Sequence, residues 1–131
     1  MCPEKLAVLE DGLFVQQSSS PVHTREAFLC IGRTMEQAGF AVLPYRENVP
    51  SFGEWGWWIG GHADRWTRER LQNQFQGIDS LSVETRYLTA ELMRASRYFG
   101  RLQLTSNHLD VSTITSPRVY DYYLRAWESE D

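Results

Sequence analysis

With 131 residues, 42% of them hydrophobic and 13% aromatic, the chain is long enough to bury one core and too apolar to remain disordered. A formal net charge of -4 excludes a dedicated nucleic-acid binder, because a surface that tracks phosphates needs a cationic excess. The two cysteines, Cys2 and Cys30, are too few for a disulfide framework and stand in no metal-ligand spacing, so a reducing, cytoplasmic setting is the simpler reading.

Leu13 to Gln17 is a short apolar run bounded by Asp11-Gly12 and by Ser18-Ser-Ser-Pro21, the pattern of a buried parallel strand that feeds a loop. Ser20 and Pro21 read as N-cap and first residue of a helix whose stripe is Ala27, Phe28, Ile31, Met35 and Ala38, with Gly39 as its stop. Phe40 to Tyr45 predicts a second strand and Glu54 to Ile59 a third. The connection between them holds Asn48, Pro50, Ser51 and Gly53 and is the pocket candidate. Asp64 is the expected cap of a helix reaching about Phe75, with Arg65, Arg68 and Arg70 on its solvated face, and residues 76–84 read as loop. Thr89 caps a further helix in which Glu91 favours the positive end, Leu88 staples to Met93, and Leu92, Ala95 and Phe99 form the buried stripe. A last helix starts at Ser116-Pro117 with Tyr120, Tyr123, Leu124 and Trp127 along one side, and the acidic tail beyond Trp127 is expected to fray.

The segment from Asn48 to Gly61 holds three of the five tryptophans and four of the nine glycines. A strand with Trp55, Trp57 and Trp58 on both faces cannot be half solvated, so one face packs inward and the other lines a pocket. Trp57 and Trp58 read as packing residues, Trp55 as the pocket residue. Other chemistries find little support. His23, His62 and His108 lie far apart with no metal-binding spacing. Serines 18–20 lack the Gly-x-Ser-x-Gly elbow of a hydrolase. No apolar run approaches the ~20 residues that span a bilayer, and Met1-Cys-Pro-Glu-Lys5 has no signal-peptide pattern, so no membrane contact is expected from this segment.

Pro50-Ser-Phe-Gly-Glu-Trp-Gly56, preceded by Leu43-Pro-Tyr-Arg46 and by Gly12 to Pro21, and followed by Arg86-Tyr-Leu-Thr-Ala-Glu-Leu-Met-Arg-Ala95, resembles the C-terminal part of spermidine synthase-like polyamine aminopropyltransferases. The downstream stretch is similar to long prokaryotic members that often carry membrane helices ahead of the enzyme domain. The resemblance covers most of residues 10 to 100. It implies an α/β fold: the last part of a Rossmann-like, methyltransferase-type sheet, about three mixed strands with the final antiparallel one inserted between the two before it. C-terminal helices follow. Residues 1–61 would form the partial Rossmann-like unit and 62–131 a helical extension packed on it, in one globular domain.

The resemblance also implies a reaction, the transfer of an aminopropyl group from decarboxylated S-adenosylmethionine to a diamine such as putrescine. That step needs a neutral amine aligned on the carbon beside a sulfonium, carboxylates that position it, and aromatic walls for its methylene chain. By alignment Gln17, Pro50, Ser51 and Trp55 border the amine acceptor, while Val49 stands where many soluble members have a tyrosine. Glu54 is added because an anionic group suits a cationic ligand. The family's Gly-rich nucleotide loop, ribose-binding acid and paired catalytic aspartates precede the matched region. No catalytic residue, cofactor or metal is therefore assigned to this chain, and it is expected to be inactive alone. The rival reading is a stand-alone binding or assembly module that uses the Trp-rich turn. The expected partner is either the missing N-terminal half or a second copy, paired along the uncharged edge of Leu13 to Gln17.

Overall fold

The structure, a computed structural model, describes residues 9–113 and 115–130. Three strands, β1 (Leu13–Gln17), β2 (Phe40–Val49) and β3 (Gly53–His62), form one sheet in the order β1-β3-β2. The last strand inserts between the two earlier ones and pairs antiparallel with both. Helices α1 (Arg25–Gln37), α2 (Arg68–Gln76), α3 (Ala90–Ala95) and α4 (Arg118–Glu130) complete the α/β fold.

Alternation along β3 sorts the core into two layers. On one face Trp58 packs with Phe28, Leu29 and Met35 of α1 and with Phe40 and Val42 of β2. On the other, Leu43 meets Trp66, Leu71 and Phe75 of the α2 region, joined by Tyr45 and Ile59. The first layer is a reciprocal lock. A Cβ on Gly32 would lie 2.3 Å from Trp58 Cζ2, and one on Gly56 2.3 Å from Phe28 Cε2. Each aromatic ring thus occupies the place of a missing side chain on the opposing element, and the rings stack at 5.2 Å. Trp58 Nε1 donates to Phe28 O at 2.8 Å, so the buried indole leaves no donor unpaired.

Several expectations are corrected. β1 is neither buried nor parallel to its neighbour: it pairs antiparallel with β3 at the sheet edge, leaving Leu13 and Val15 42% and 51% exposed. An apolar run reports the residues' preference, not whether a covering layer exists. The connection after Tyr45 is no long loop either. β2 continues to Val49 and β3 starts at Gly53, so only residues 50–52 turn, closed by Phe52 N–H donating to Val49 O at 3.0 Å. Gly53, at φ +81°, takes the left-handed position that such a short hairpin requires. Pro44 sits within β2 without cost because β2 is an edge strand. Beyond it, the Ser96 carbonyl accepts from Arg46 N–H at 2.8 Å and Arg97 donates to Pro44 O. Burial holds the Arg97 guanidinium down to about 10.

Ser20 does cap a turn, but the regular helix begins one turn later than expected. The Ser20 hydroxyl accepts from the Val22 and His23 N–H groups, while Thr24 is the N-cap of α1. Thr67, not Asp64, caps α2 by accepting from Arg70 N–H at 3.1 Å. Thr89 caps α3 as expected, accepting from Leu92 N–H at 3.1 Å. Ala95 is exposed there, because the helix ends at that residue and Ala90 and Ser96 carry the deeper burial. In α4 the expected stripe faces outward. Val119 and Tyr122 pack on Ala27 and Cys30 instead, leaving Tyr120 60% and Trp127 51% exposed. The competing face wins because α1 offers small residues there and the Tyr122 hydroxyl can donate to Asp110 Oδ1 at 2.7 Å.

Candidate functional site

β1 ends beside the middle of β3, and two backbone bonds extend their ladder past it. Ser18 N–H donates to Gly56 O at 2.9 Å and Gly56 N–H to Ser19 O at 2.7 Å. Ser19 adopts φ +64° to make this turn. Gln17 is thereby fixed directly opposite Trp57. Cross-strand partners share a face, so Gln17, Trp55 and Trp57 stand on one side of the sheet.

There a groove of about 230 Å³ is lined by Gln17, Val49, Phe52, Trp55 and Trp57. Trp57 is held from its other side by Tyr45, whose ring stacks on it at 5.4 Å and 12°. Tyr45 in turn meets Phe75 at 5.5 Å, which ties the groove floor to α2. Burial raises the Tyr45 phenol above its ordinary value, so it stays neutral. The groove thus offers two indole faces, a phenyl ring and a valine, with the Gln17 amide as its polar group.

Among the expected site residues, the structure brings Gln17 and Trp55 together in this groove. Pro50 and Ser51 form the exposed hairpin tip, with Ser51 at φ +71°, and their neighbours Val49 and Phe52 line the groove. Glu54 lies on the opposite face, where it pairs with Arg46. That guanidinium also donates to Tyr98 O at 2.5 Å and lies over the Phe99 ring at 5.8 Å. Trp57 and Phe52 were not foreseen in the site. Trp57 shares its face with Trp55 by simple alternation, which was legible once the hairpin was known to be tight. Glu47, opposite Trp55 across the β2–β3 ladder, is not among the groove's lining residues.

A larger cleft of about 870 Å³ opens between the turn before α1, the 100–108 loop and α4. Arg25, Arg101 and Arg125 line it against the single carboxylate of Glu26, a charge pattern unsuited to a cation. Among the described residues no group of His, Cys, Asp and Glu could hold a metal ion. No helix there is long and apolar enough to cross a membrane.

A polyamine aminopropyltransferase of Shewanella oneidensis is 32% identical over 124 residues, 94% of this chain and 21% of that protein. One from Mycobacterium tuberculosis is 30% identical over 122 residues, 93% of this chain and 22% of its own length. The chain belongs to the polyamine aminopropyltransferase family. Polyamine aminopropyltransferase 2 of Aquifex aeolicus agrees, at 32% identity over 116 residues, 88% of this chain and 22% of that one. The chain spans about a fifth of the length of the curated relatives it matches. No family model matches it.

Proposed function

We propose that this chain is the C-terminal portion of a cytosolic polyamine aminopropyltransferase and supplies one wall of its acceptor-amine site. The observation that carries this reading is the convergence of Gln17 and the Trp55–Trp57 hairpin on one groove, built from two segments far apart in sequence. In the reaction, a neutral amine nitrogen attacks the aminopropyl carbon next to the sulfonium of decarboxylated S-adenosylmethionine. The carbon–sulfur electron pair leaves with sulfur as methylthioadenosine, and the new secondary ammonium loses a proton to give the amine. Indole faces suit both the methylene chain of putrescine and its distal ammonium. The Gln17 amide oxygen suits the attacking amine, accepting a hydrogen bond without protonating it.

Nothing in the groove itself would bind the nucleotide part of the donor or remove the proton, so the 131-residue chain does not turn over alone. The four-fifths of the family's length outside the match would cover the unpaired outer edge of β1. In the isolated chain a second copy takes that place, because Leu13 to Gln17 carries no charge to blunt the edge.

Tryptophan fluorescence tests the acceptor assignment. Millimolar putrescine should change the emission of the wild type saturably, and the change should be mostly lost in Trp55→Phe. Identical responses in the two proteins remove Trp55 from the site. A second reading, an assembly surface at the hairpin, is favoured by Phe52, which is 71% exposed beside the tip. It predicts no amine response at all.

A further inference from the structure

On the α1 side of the sheet, away from the aromatic groove, the cleft of about 870 Å³ carries a charge opposite to that of the whole chain. The protein has a formal net charge of -4, yet Arg25, Arg101 and Arg125 line this cleft against one carboxylate, Glu26. That carboxylate is already engaged. It lies 3.6 Å from the Arg25 guanidinium and accepts from the Ser106 hydroxyl at 2.5 Å. Arg25 also reaches Leu102 O on the facing wall at 3.5 Å. Among the described residues Arg101 and Arg125 form no ion pair. Arg125 is instead laid over the Tyr122 ring, 5.5 Å from its centroid, a contact that directs the guanidinium without neutralising it. The N-terminus of α1 opens beside the same cleft and adds to its sign, because Thr24 at the N-cap makes no side-chain cap bond.

Arginines converging on a concave site focus positive potential there and attract an anion. Three guanidinium forks outnumber the two oxygens of a carboxylate and suit the three terminal oxygens of a phosphate, which they can grip in pairs. The rest of the wall is apolar: Pro21, Val22, Leu102, Ala126 and the Tyr122 ring. An inorganic ion would leave that wall uncovered, and the volume is that of a site for a small organic molecule. A sulfonium donor and a polyamine acceptor are both cationic, so neither belongs in this cleft. We propose that it is a separate binding site for an organic phosphate. The phosphate groups lie against Arg101 and Arg125, and the less polar body covers Val22 and Leu102. The inference goes beyond the acceptor reading and does not depend on it.

Calorimetric titration of the 131-residue chain with ADP, pyrophosphate and adenosine, in magnesium-free buffer, tests it. ADP should bind saturably, about tenfold more tightly than adenosine, which lacks the anion, and at least about fivefold more tightly than pyrophosphate, which lacks the apolar body. Arg101→Gln and Arg125→Gln should each weaken ADP about tenfold, the loss expected for a charge-assisted hydrogen bond. Both side chains are exposed and outside any ion pair, so the melting temperatures should match wild type. Arg86→Gln removes one exposed charge outside the cleft and should leave ADP affinity within about twofold. Independently of any variant, ADP should shift backbone amide signals within residues 22–26 and 101–108 of the wild type and leave those of Trp55 and Trp57 in place. No saturable heat with ADP, equal affinities for ADP and adenosine, or amide shifts elsewhere overturns the site. Pyrophosphate binding as tight as that of ADP overturns the organic body. A loss in Arg86→Gln as large as that in Arg101→Gln overturns the cleft in favour of diffuse charge attraction.

Discussion

Gly56 is where the lock between α1 and the sheet is tightest, and it also anchors the loop that carries Gln17. A methyl group added by Gly56→Ala would stand 2.3 Å from Phe28 Cε2 and 3.0 Å from Cδ2 and Cζ. The Phe28 ring cannot swing away: it is fully buried, stacked on Trp58 at 5.2 Å and met by Phe99 at 6.3 Å. Overpacking of a rigid core costs about 1–3 kcal/mol, and confinement on two sides puts this site in the upper half of that range. For a chain of 131 residues, each kcal/mol lowers the melting temperature by roughly 3–4 °C, so Gly56→Ala should melt about 6–12 °C below wild type. Phe28→Leu alone should cost about 1–2 kcal/mol through lost contacts. It also removes the atoms that collide with the new methyl. The double variant should then be less destabilised than the two singles together by at least about 1 kcal/mol, measured by urea unfolding with tryptophan fluorescence. Additivity within about 0.5 kcal/mol would show that the Phe28–Gly56 contact is not the source of the strain.

Gln17→Ala should weaken putrescine binding about tenfold with little change in melting temperature, because the side chain ends in the groove and not in a core; a coupled fall in stability would contradict its position. Glu54→Gln breaks a partly exposed pair with Arg46 and should cost no more than about 1 kcal/mol in urea unfolding. Val15→Lys places a charge on the uncovered β1 edge strand and should convert the isolated chain from dimer to monomer in sedimentation at micromolar concentration; a wild-type monomer would reject the edge pairing. At alkaline pH, burial and the Asp110 carboxylate hold the Tyr122 phenol up to about 12, against an ordinary value of 10.0. The unfolded chain loses that proton first, so this contribution is full below about 10 and vanishes as pH rises to about 12. Tyr122→Phe should show a shallower stability loss across that window, and equal slopes would refute the assignment.

Much of this architecture was legible in the residues. The 3.6-residue period from Ala27 to Met35 and the Thr89 cap both reappear in the structure, and the local motifs around Pro50 and Gln17 led to the family before any fold was known. What was missed depends on which neighbour wins. The run Leu13 to Gln17 reads as a buried strand, yet only β3 on one side reaches it. The stripe from Tyr120 to Trp127 is a true helical face. The Val119–Tyr122 face is the one buried, because Asp110 satisfies the Tyr122 hydroxyl. At the site, extending the turn over eight residues hid the alternation of both hairpin strands. Once residues 50–52 alone form the turn, the period of two puts Glu54 behind the sheet and Trp55 and Trp57 in front.

The groove can be watched through its own indoles. The chain has five tryptophans, and a ¹H–¹⁵N spectrum resolves one Nε1–H signal for each. During a putrescine titration, the signals of Trp55 and Trp57 should shift saturably and together. Those of Trp58, bonded to Phe28 O, and Trp66, bonded to Asp11 O, should stay in place. Shifts confined to Trp127 on α4, or none at saturating putrescine, would contradict an acceptor groove on this face of the sheet.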